Sequence, residues 1–306
     1  MLLILTGSAD GTVDRIVEQC ALPVFRLNLD LISDYKISMS PDGWEIENPS
    51  GKKIDSHNAT RAFWWKAFSY GLDQEWLFHE EVKYLFRELY SWFGHRHLII
   101  GNPPEAEARI GKLRQLEVAS KHLKHRSTQL RINDTFAIDS RKKYIVKSLT
   151  SGLTTSSKAM HTQEVDPSKL DPKLLWLVQE KIDSTNDITV FVAGSTLYGF
   201  ARSRASLTGL DWRKEQFTDQ AKWEPYSLSE NDENSIRNFC SEIGVEWGRV
   251  DFMLTEEGLI FLEINMNGQW VFLDLQNDSG FISKVVEYIE TGPTHSQVNL
   301  RSSVNE

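Results

Sequence analysis

Cysteine is nearly absent. Cys20 and Cys240 are the only two in 306 residues; they lie far apart on helix-like stretches without a neighbouring histidine, which excludes a disulfide framework and suits a reducing compartment, the cytoplasm. Long hydrophobic runs are missing too. The apolar stretch after Met1 ends at Leu5, has no basic flank or small-residue cleavage site, and reads as a buried strand rather than a signal peptide. No segment approaches the roughly 18 uninterrupted apolar residues of a spanning helix. Positive charge is in deficit: 34 Lys and Arg stand against 43 Asp and Glu, a formal net charge of −9. That balance argues against a non-specific grip on nucleic acid or an anionic membrane, and any basic groove has to be local. There is no internal repeat, and His95 and His97 have no Cys or carboxylate at zinc spacing. What remains is a chain long enough for two or three packed units.

Hydrophobic periodicity gives a mixed α/β reading. A strand over 2–5, a Gly/Asp turn and a helix over 13–20 open the chain; PVFRLNLDLI reads as a strand, and the segment around Pro41-Asp42-Gly43 as a hairpin. An amphipathic helix is expected over 74–93 and a strand over 98–100. A second unit begins at Pro103-Pro104 with a helix over EAEARIGKLRQLEVASKHL, then strands over 135–138 and 144–149. The hydroxyl-rich run SLTSGLTTSS, 148–157, reads as a loop able to close over phosphates, with a plain surface loop as the alternative. LLWLVQEKI and the hairpin DITVFVAGSTLYGFARSR follow. A C-terminal helix is expected over 281–290, and the polar tail 293–306 has little reason to be ordered.

The densest chemistry lies in GRVDFMLTEEGLIFLEINMNGQW, 248–270. Period-two alternation puts Phe261, Glu263 and Asn265 on one face of their strand. A three-residue turn ending in Gly258 makes Thr255 oppose Leu259, Met253 oppose Phe261, Asp251 oppose Glu263 and Arg249 oppose Asn265. Opposed like charges are destabilising unless compensated. Asp251, Glu263 and Asn265 together form a hard oxygen-donor set suited to Mg²⁺ that shares phosphate ligands. The alternative is a solvated pair, or Asp251 paired with Arg249; Arg249 is also placed to stabilise an oxyanion, and both roles can hold. Arg202, Arg204 and Arg213 concentrate positive charge that is either a clamp for an acidic group or a solvated face.

With these residues in view the sequence resembles the ATP-grasp superfamily over roughly 100–290. In that resemblance Asp251 and the Glu263-Ile264-Asn265 run hold magnesium. Lys112 and Lys147 match the two lysines on ATP phosphates, Gln179-Glu180-Lys181-Ile182 the hinge whose backbone reads adenine, and Asp187 the acidic residue after it. FLEINMNGQW and Asp211-Trp212-Arg213 are similar to elements of the microviridin-type (graspetide) ligases, which cyclise ribosomally made peptides. The resemblance implies ATP and Mg²⁺ as cofactors. It implies a precursor peptide with acidic and Ser/Thr/Lys core residues as partner, whose Asp or Glu side chain is activated as an acyl phosphate and joined to a hydroxyl or amine. A ligase of free amino acids and a degenerate peptide-binding protein are the rivals.

The expected fold is thus α/β, ATP-grasp with an N-terminal pre-ATP-grasp domain over 1–105, a small lid subdomain over 106–185, a C-terminal subdomain with the metal site over 186–292, and the tail 293–306. Arg249 and Arg202 are the expected catalytic cations; Asp211, Arg213 and Arg204 are expected to bind substrate. A homodimer is left open. Thr189 stands where the resemblance calls for arginine, Met266 where proline is usual, Lys121-His122-Leu123 lacks a glycine, and the lid run is poor in glycine.

Overall fold

The computed structural model describes residues 1–67, 76–102, 109–147, 149, 162–205 and 222–292. Asp211, Arg213, most of the 148–157 run and the tail lie outside them.

In chain order the strands and helices are β1 (Leu2–Thr6), α1 (Gly11–Gln19), β2 (Val24–Asn28), β3 (Lys36–Ser40), β4 (Gly43–Glu47), β5 (Lys53–Asp55), β6 (Arg61–Trp64), α2 (Trp76–Gly94), β7 (Ile99–Gly101), α3 (Lys112–His122), β8 (Lys124–His125), β9 (Thr128–Arg131), β10 (Tyr144–Lys147), β11 (Gln163–Val165), β12 (Trp176–Glu180), β13 (Asn186–Ala193), β14 (Thr196–Ser203), β15 (Glu224–Pro225), α4 (Glu230–Ile243), β16 (Trp247–Thr255), β17 (Gly258–Asn265) and α5 (Phe281–Thr291).

Four sheets result. The first, β2-β1-β6-β7, is parallel throughout. Its central β1 is buried along its whole length, as a strand covered on both faces must be, and so is apolar without alternation. The loop after β1 ends in Asp10, whose carboxylate accepts from the Thr12 and Val13 N–H groups and caps α1. β3, β4 and β5 form a small antiparallel sheet beside it. A third sheet, β11-β10-β12-β9, is antiparallel. The six-stranded fourth runs β15-β14-β13-β16-β17-β8.

The two faces of that large sheet differ. Ile188, Val190, Val250, Phe252, Phe261 and Ile264 pack beneath α3 and α4 in one core. The other face is aromatic at one end, where Phe191, Trp247 and Trp270 join Phe63, Trp65 and α5 in a second core that seats the first sheet on the large one. Asn102, just past β7, strengthens that seam by donating to the Trp247 and Met266 carbonyls at 2.8 Å each. Further along the same face the side chains turn polar.

Several expectations change. Of the helix expected over 105–123, residues 105–108 lie outside the described residues, 109–111 are not helical, and α3 runs over Lys112–His122 with Gly111 at its N-cap; α3 and β8 pack on the large sheet. No strand forms over 135–138; β9 takes that place in the third sheet, over Thr128–Arg131. After β2 the chain makes a 3₁₀ turn over Leu29–Asp34 instead of continuing as a strand. Both cysteines are free, Cys240 buried and Cys20 half-buried; burial pushes their thiols up, to about 12 and about 11. Among the described residues no helix is long and apolar enough to cross a membrane.

Candidate active site

Asp251 and Glu263 do face each other across β16 and β17, and Arg249 faces Asn265. The register that brings them there is not the expected one. The turn is the two-residue Glu256-Glu257, so Thr255 pairs with Gly258, Leu254 with Leu259, Met253 with Ile260 and Phe252 with Phe261. A bulge at the Asp251/Phe252 step then shifts the pairing by one residue and restores Asp251 opposite Glu263. Phe261 is therefore not on the face of Glu263; it lies in the core under α3 and α4 beside Phe252. The bulge lets an apolar strand end present its acidic residues away from that core.

Each carboxylate has its own cation. Asp251 accepts from Arg249 through Nε on Oδ1 and Nη2 on Oδ2, both at 3.0 Å, and its Oδ1 also accepts from the Thr189 hydroxyl. Glu263 accepts from the Lys112 ammonium. Burial alone would push the Glu263 carboxyl up, but Lys112 first, then Lys147 and Arg249, hold it below its ordinary value. Lys147, the last residue of β10, is thus close enough to act electrostatically on the same carboxylate. Of the two lysines named from sequence, Lys112 bonds Glu263 directly and Lys147 acts on it electrostatically. Among the described residues no three His, Cys, Asp or Glu side chains cluster as metal ligands; the third donor expected beside the two carboxylates is the amide of Asn265, two residues after Glu263 on β17. Two carboxylates and an amide oxygen fit that hard cation.

The Asn-Gly-Gln-Trp segment after β17 fixes this corner. A Cβ on Gly268 would stand 3.1 Å from Asn265 Cγ, and one on Gly248, which has φ +151°, 3.1 Å from the Asn265 carbonyl oxygen. The two glycines therefore let backbone close around Asn265 from both sides. The Gln269 carbonyl accepts from Arg249 Nη1 at 3.0 Å, and its side chain meets the Thr12 hydroxyl at 2.6 Å. Trp270 is fully buried and sits edge-on to Phe281 at 5.8 Å. None of these roles was readable from spacing, because Thr12 and Gln269 are 257 residues apart.

The hinge candidates line up along the end of β12. Gln179 is buried and donates to the Thr128 hydroxyl at 2.9 Å. The Glu180 and Lys181 N–H groups donate to the Ser127 and Lys143 carbonyls, while their side chains pair with Lys142 and Glu164 at 2.7 Å each. Ile182 is buried. Asp187 is buried on β13, and one Arg204 Nη1 donates to both its oxygens at 2.7 and 2.9 Å. Burial raises its carboxyl above the ordinary value, against the pull of Arg204 and then Arg202. Arg202, opposite Asp187 in the ladder, is only 2 % exposed. Arg202 and Arg204 are therefore interior cations on the site face, not an exposed cationic surface.

No family model matches the chain, and no curated protein matches it in sequence. Solved structures do. A RiPP-associated ATP-grasp ligase from Chryseobacterium gregarium, in complex with ADP and a leader and core peptide, superposes with a TM-score of 0.80 at 23% identity, over 95% of this chain and 97% of that one. The macrocyclase MdnC from Microcystis aeruginosa, bound with precursor peptide MdnA, gives 0.77 at 19% identity, over 96% and 100%. The ATP-grasp ligase PsnB, complexed with minimal precursor, Mg and ADP, gives 0.70 at 13%, over 94% and 96%. At such identities the likeness is one of architecture, and that architecture is an α/β fold of the ATP-grasp type along nearly the whole chain.

Proposed function

We propose that this chain is a magnesium-dependent ATP-grasp ligase that activates an Asp or Glu side chain of a ribosomally made precursor peptide and joins it to a hydroxyl or amine of the same peptide. The observation that carries this reading is the convergence of Lys112, Lys147 and Arg249 on the opposed pair Asp251 and Glu263. Opposed carboxylates are costly, and here they are matched by cations that a triphosphate would also recruit. The resemblance of the C-terminal motif to that of the peptide-cyclising ligases narrows the substrate class, and the solved structures of similar fold carry a leader and core peptide or a precursor peptide.

In this reading Asp251, Glu263 and Asn265 hold magnesium, which when bound spreads the charge of the triphosphate. Lys112 and Lys147 turn from Glu263 to the phosphates. Residues Gln179 to Ile182 border the adenine; the Glu180 and Lys181 N–H groups are bonded to the Ser127 and Lys143 carbonyls, and among the described residues no backbone acceptor takes the Ile182 N–H, which is the donor proposed for it. Asp187, held by Arg204, is the acidic residue that follows the hinge and is proposed to contact the nucleotide. A substrate carboxylate oxygen attacks the γ-phosphorus and ADP leaves; the peptide nucleophile then attacks the acyl carbon, loses its proton and expels phosphate. Arg249 and Arg202 supply positive charge where the oxyanion develops. Asp211 and Arg213 are proposed to bind the peptide. The proposed division is a pre-ATP-grasp unit, a lid and a metal-bearing unit, acting in the cytoplasm.

The test is mass spectrometry of a Thr- and Asp/Glu-rich precursor incubated with protein, ATP and magnesium. Each ring formed removes the mass of one water. An unchanged precursor together with condensation of free amino acids would replace this reading with that of a small-substrate ligase.

A further inference from the structure

Thr189 is 1 % exposed, at the middle of the large sheet. The ladder puts it opposite Phe200 on one side and Asp251 on the other. Its hydroxyl donates to Asp251 Oδ1, the same oxygen that takes Arg249 Nε, while Oδ2 takes Arg249 Nη2. Asp251 is thus held by a charged fork from its own strand and by one neutral donor from the next. On its other side it faces Glu263, whose like charge pushes it away.

The two holds are not equivalent. If Asp251 is to bind a cation, or Arg249 is to turn toward an anionic group, the guanidinium fork has to open. A carboxylate on a single-bonded stem then loses its orientation unless something else keeps it. Threonine is suited to keeping it, because its branched Cβ restricts χ1 and burial at this position fixes it further. A neutral donor also leaves the full negative charge on Asp251, whereas an arginine at 189 would add a second cation beside Arg249 and offset the charge available to a dication.

We infer that Thr189 is a positioning residue, whose hydroxyl keeps Asp251 aimed at the metal position while Arg249 lets go. The inference rests on the metal reading of Asp251 and Glu263. An outer hydrogen bond to a metal ligand is commonly worth about tenfold or more in metal affinity. Thr189→Val keeps the shape and removes the donor; Thr189→Ser keeps the donor.

The experiment is ADP binding by calorimetry at a series of magnesium concentrations, with thermal midpoints of the ligand-free proteins in parallel. Thr189→Val is expected to raise the half-saturating magnesium by about tenfold, with Thr189→Ser close to the parent. If Thr189→Val does not fold, Thr189→Ala supplies the same comparison. A valine variant with the parent's magnesium dependence overturns the inference alone, as does a serine variant shifted as far as valine. ADP binding by the parent that ignores magnesium overturns the metal reading and this inference with it.

Discussion

Lys112 opens α3 and places its ammonium on the carboxylate of Glu263, 151 residues further along the chain. A cation in a first helical turn meets the positive end of the helix dipole, at a cost of about 0.3–1 kcal/mol. Glu263 offsets that cost in the ligand-free protein. The pair also sets a pH dependence. Because Glu263 titrates below its ordinary value of 4.5, its contribution to ligand-free stability is complete above that value and is lost as pH falls through the lowered one. Glu263→Gln removes the titration. Urea unfolding from about pH 7 to about pH 3 should therefore show the parent more stable at neutral pH and the gap to the variant closing on the acid side. A gap that stays constant would show that the pair does not contribute.

The same substitution tests the chemistry. Glu263→Gln should abolish magnesium-dependent ADP release while the ligand-free protein keeps its helix and strand content by circular dichroism. Turnover near the parent's would remove Glu263 from the metal set.

Lys147 ends β10, just before the 148–157 run, and its charge already acts on Glu263. Lys147→Met should weaken ATP binding by roughly 10- to 100-fold, since a charge-assisted hydrogen bond contributes about 1.5–3 kcal/mol. Calorimetry reads this directly, and equal affinity in the variant would place the phosphates elsewhere.

The C-terminal chemistry was legible because it is local: a strand–turn–strand segment states its alternation and its acidic residues within two dozen positions. Even there, the expected pairing of Asp251 with Glu263 rested on a three-residue turn that does not form. A shorter turn and a bulge each shift the register by one, and the two shifts cancel. Alternation along β17 shows no sign of the bulge, since Phe261 and Glu263 fit one face as well as two. What stayed illegible is long-range. The donation of Asn102 to Met266 and the Thr12–Gln269 bond depend on how the first sheet seats on the large one. Nor could charge clustering show that Arg204 points inward, because it lies just past the end of β14 and reaches Asp187 on β13 only once the ladder between those strands has formed.

Gly268 offers a steric test of the Asn265 corner. A methyl there would approach Asn265 Cγ, Cβ and O to between 3.1 and 3.2 Å, so Gly268→Ala should displace the amide. The expected result is a rise in the magnesium needed for ADP binding, by about tenfold if Asn265 is a ligand, with nucleotide affinity recovered at saturating magnesium. No change in magnesium dependence would leave Asn265 outside the metal set.

Arg204 and Arg213, counted together in the sequence as one cationic surface, should separate when each is replaced. Arg204 is 13 % exposed in its side chain and donates to both oxygens of a still more buried Asp187. Removing one partner of a buried pair strands the other, at a cost of about 3–5 kcal/mol. Arg204→Ala should thus lower the thermal midpoint by many degrees and disturb nucleotide binding, whether or not a peptide is present. Arg213 lies outside the described residues, and the acidic chain, with a formal net charge of −9, needs a local cation to draw in an acidic peptide. Arg213→Ala should leave the thermal midpoint and ADP binding near the parent's yet stop water loss from the precursor. Arg213→Lys should not rescue it, because a lysine cannot reproduce the planar fork that matches a carboxylate. Dehydration at the parent rate in Arg213→Ala would remove the peptide role from this arginine, and a thermally unaltered Arg204→Ala would show that the Asp187 pair does not contribute to folding.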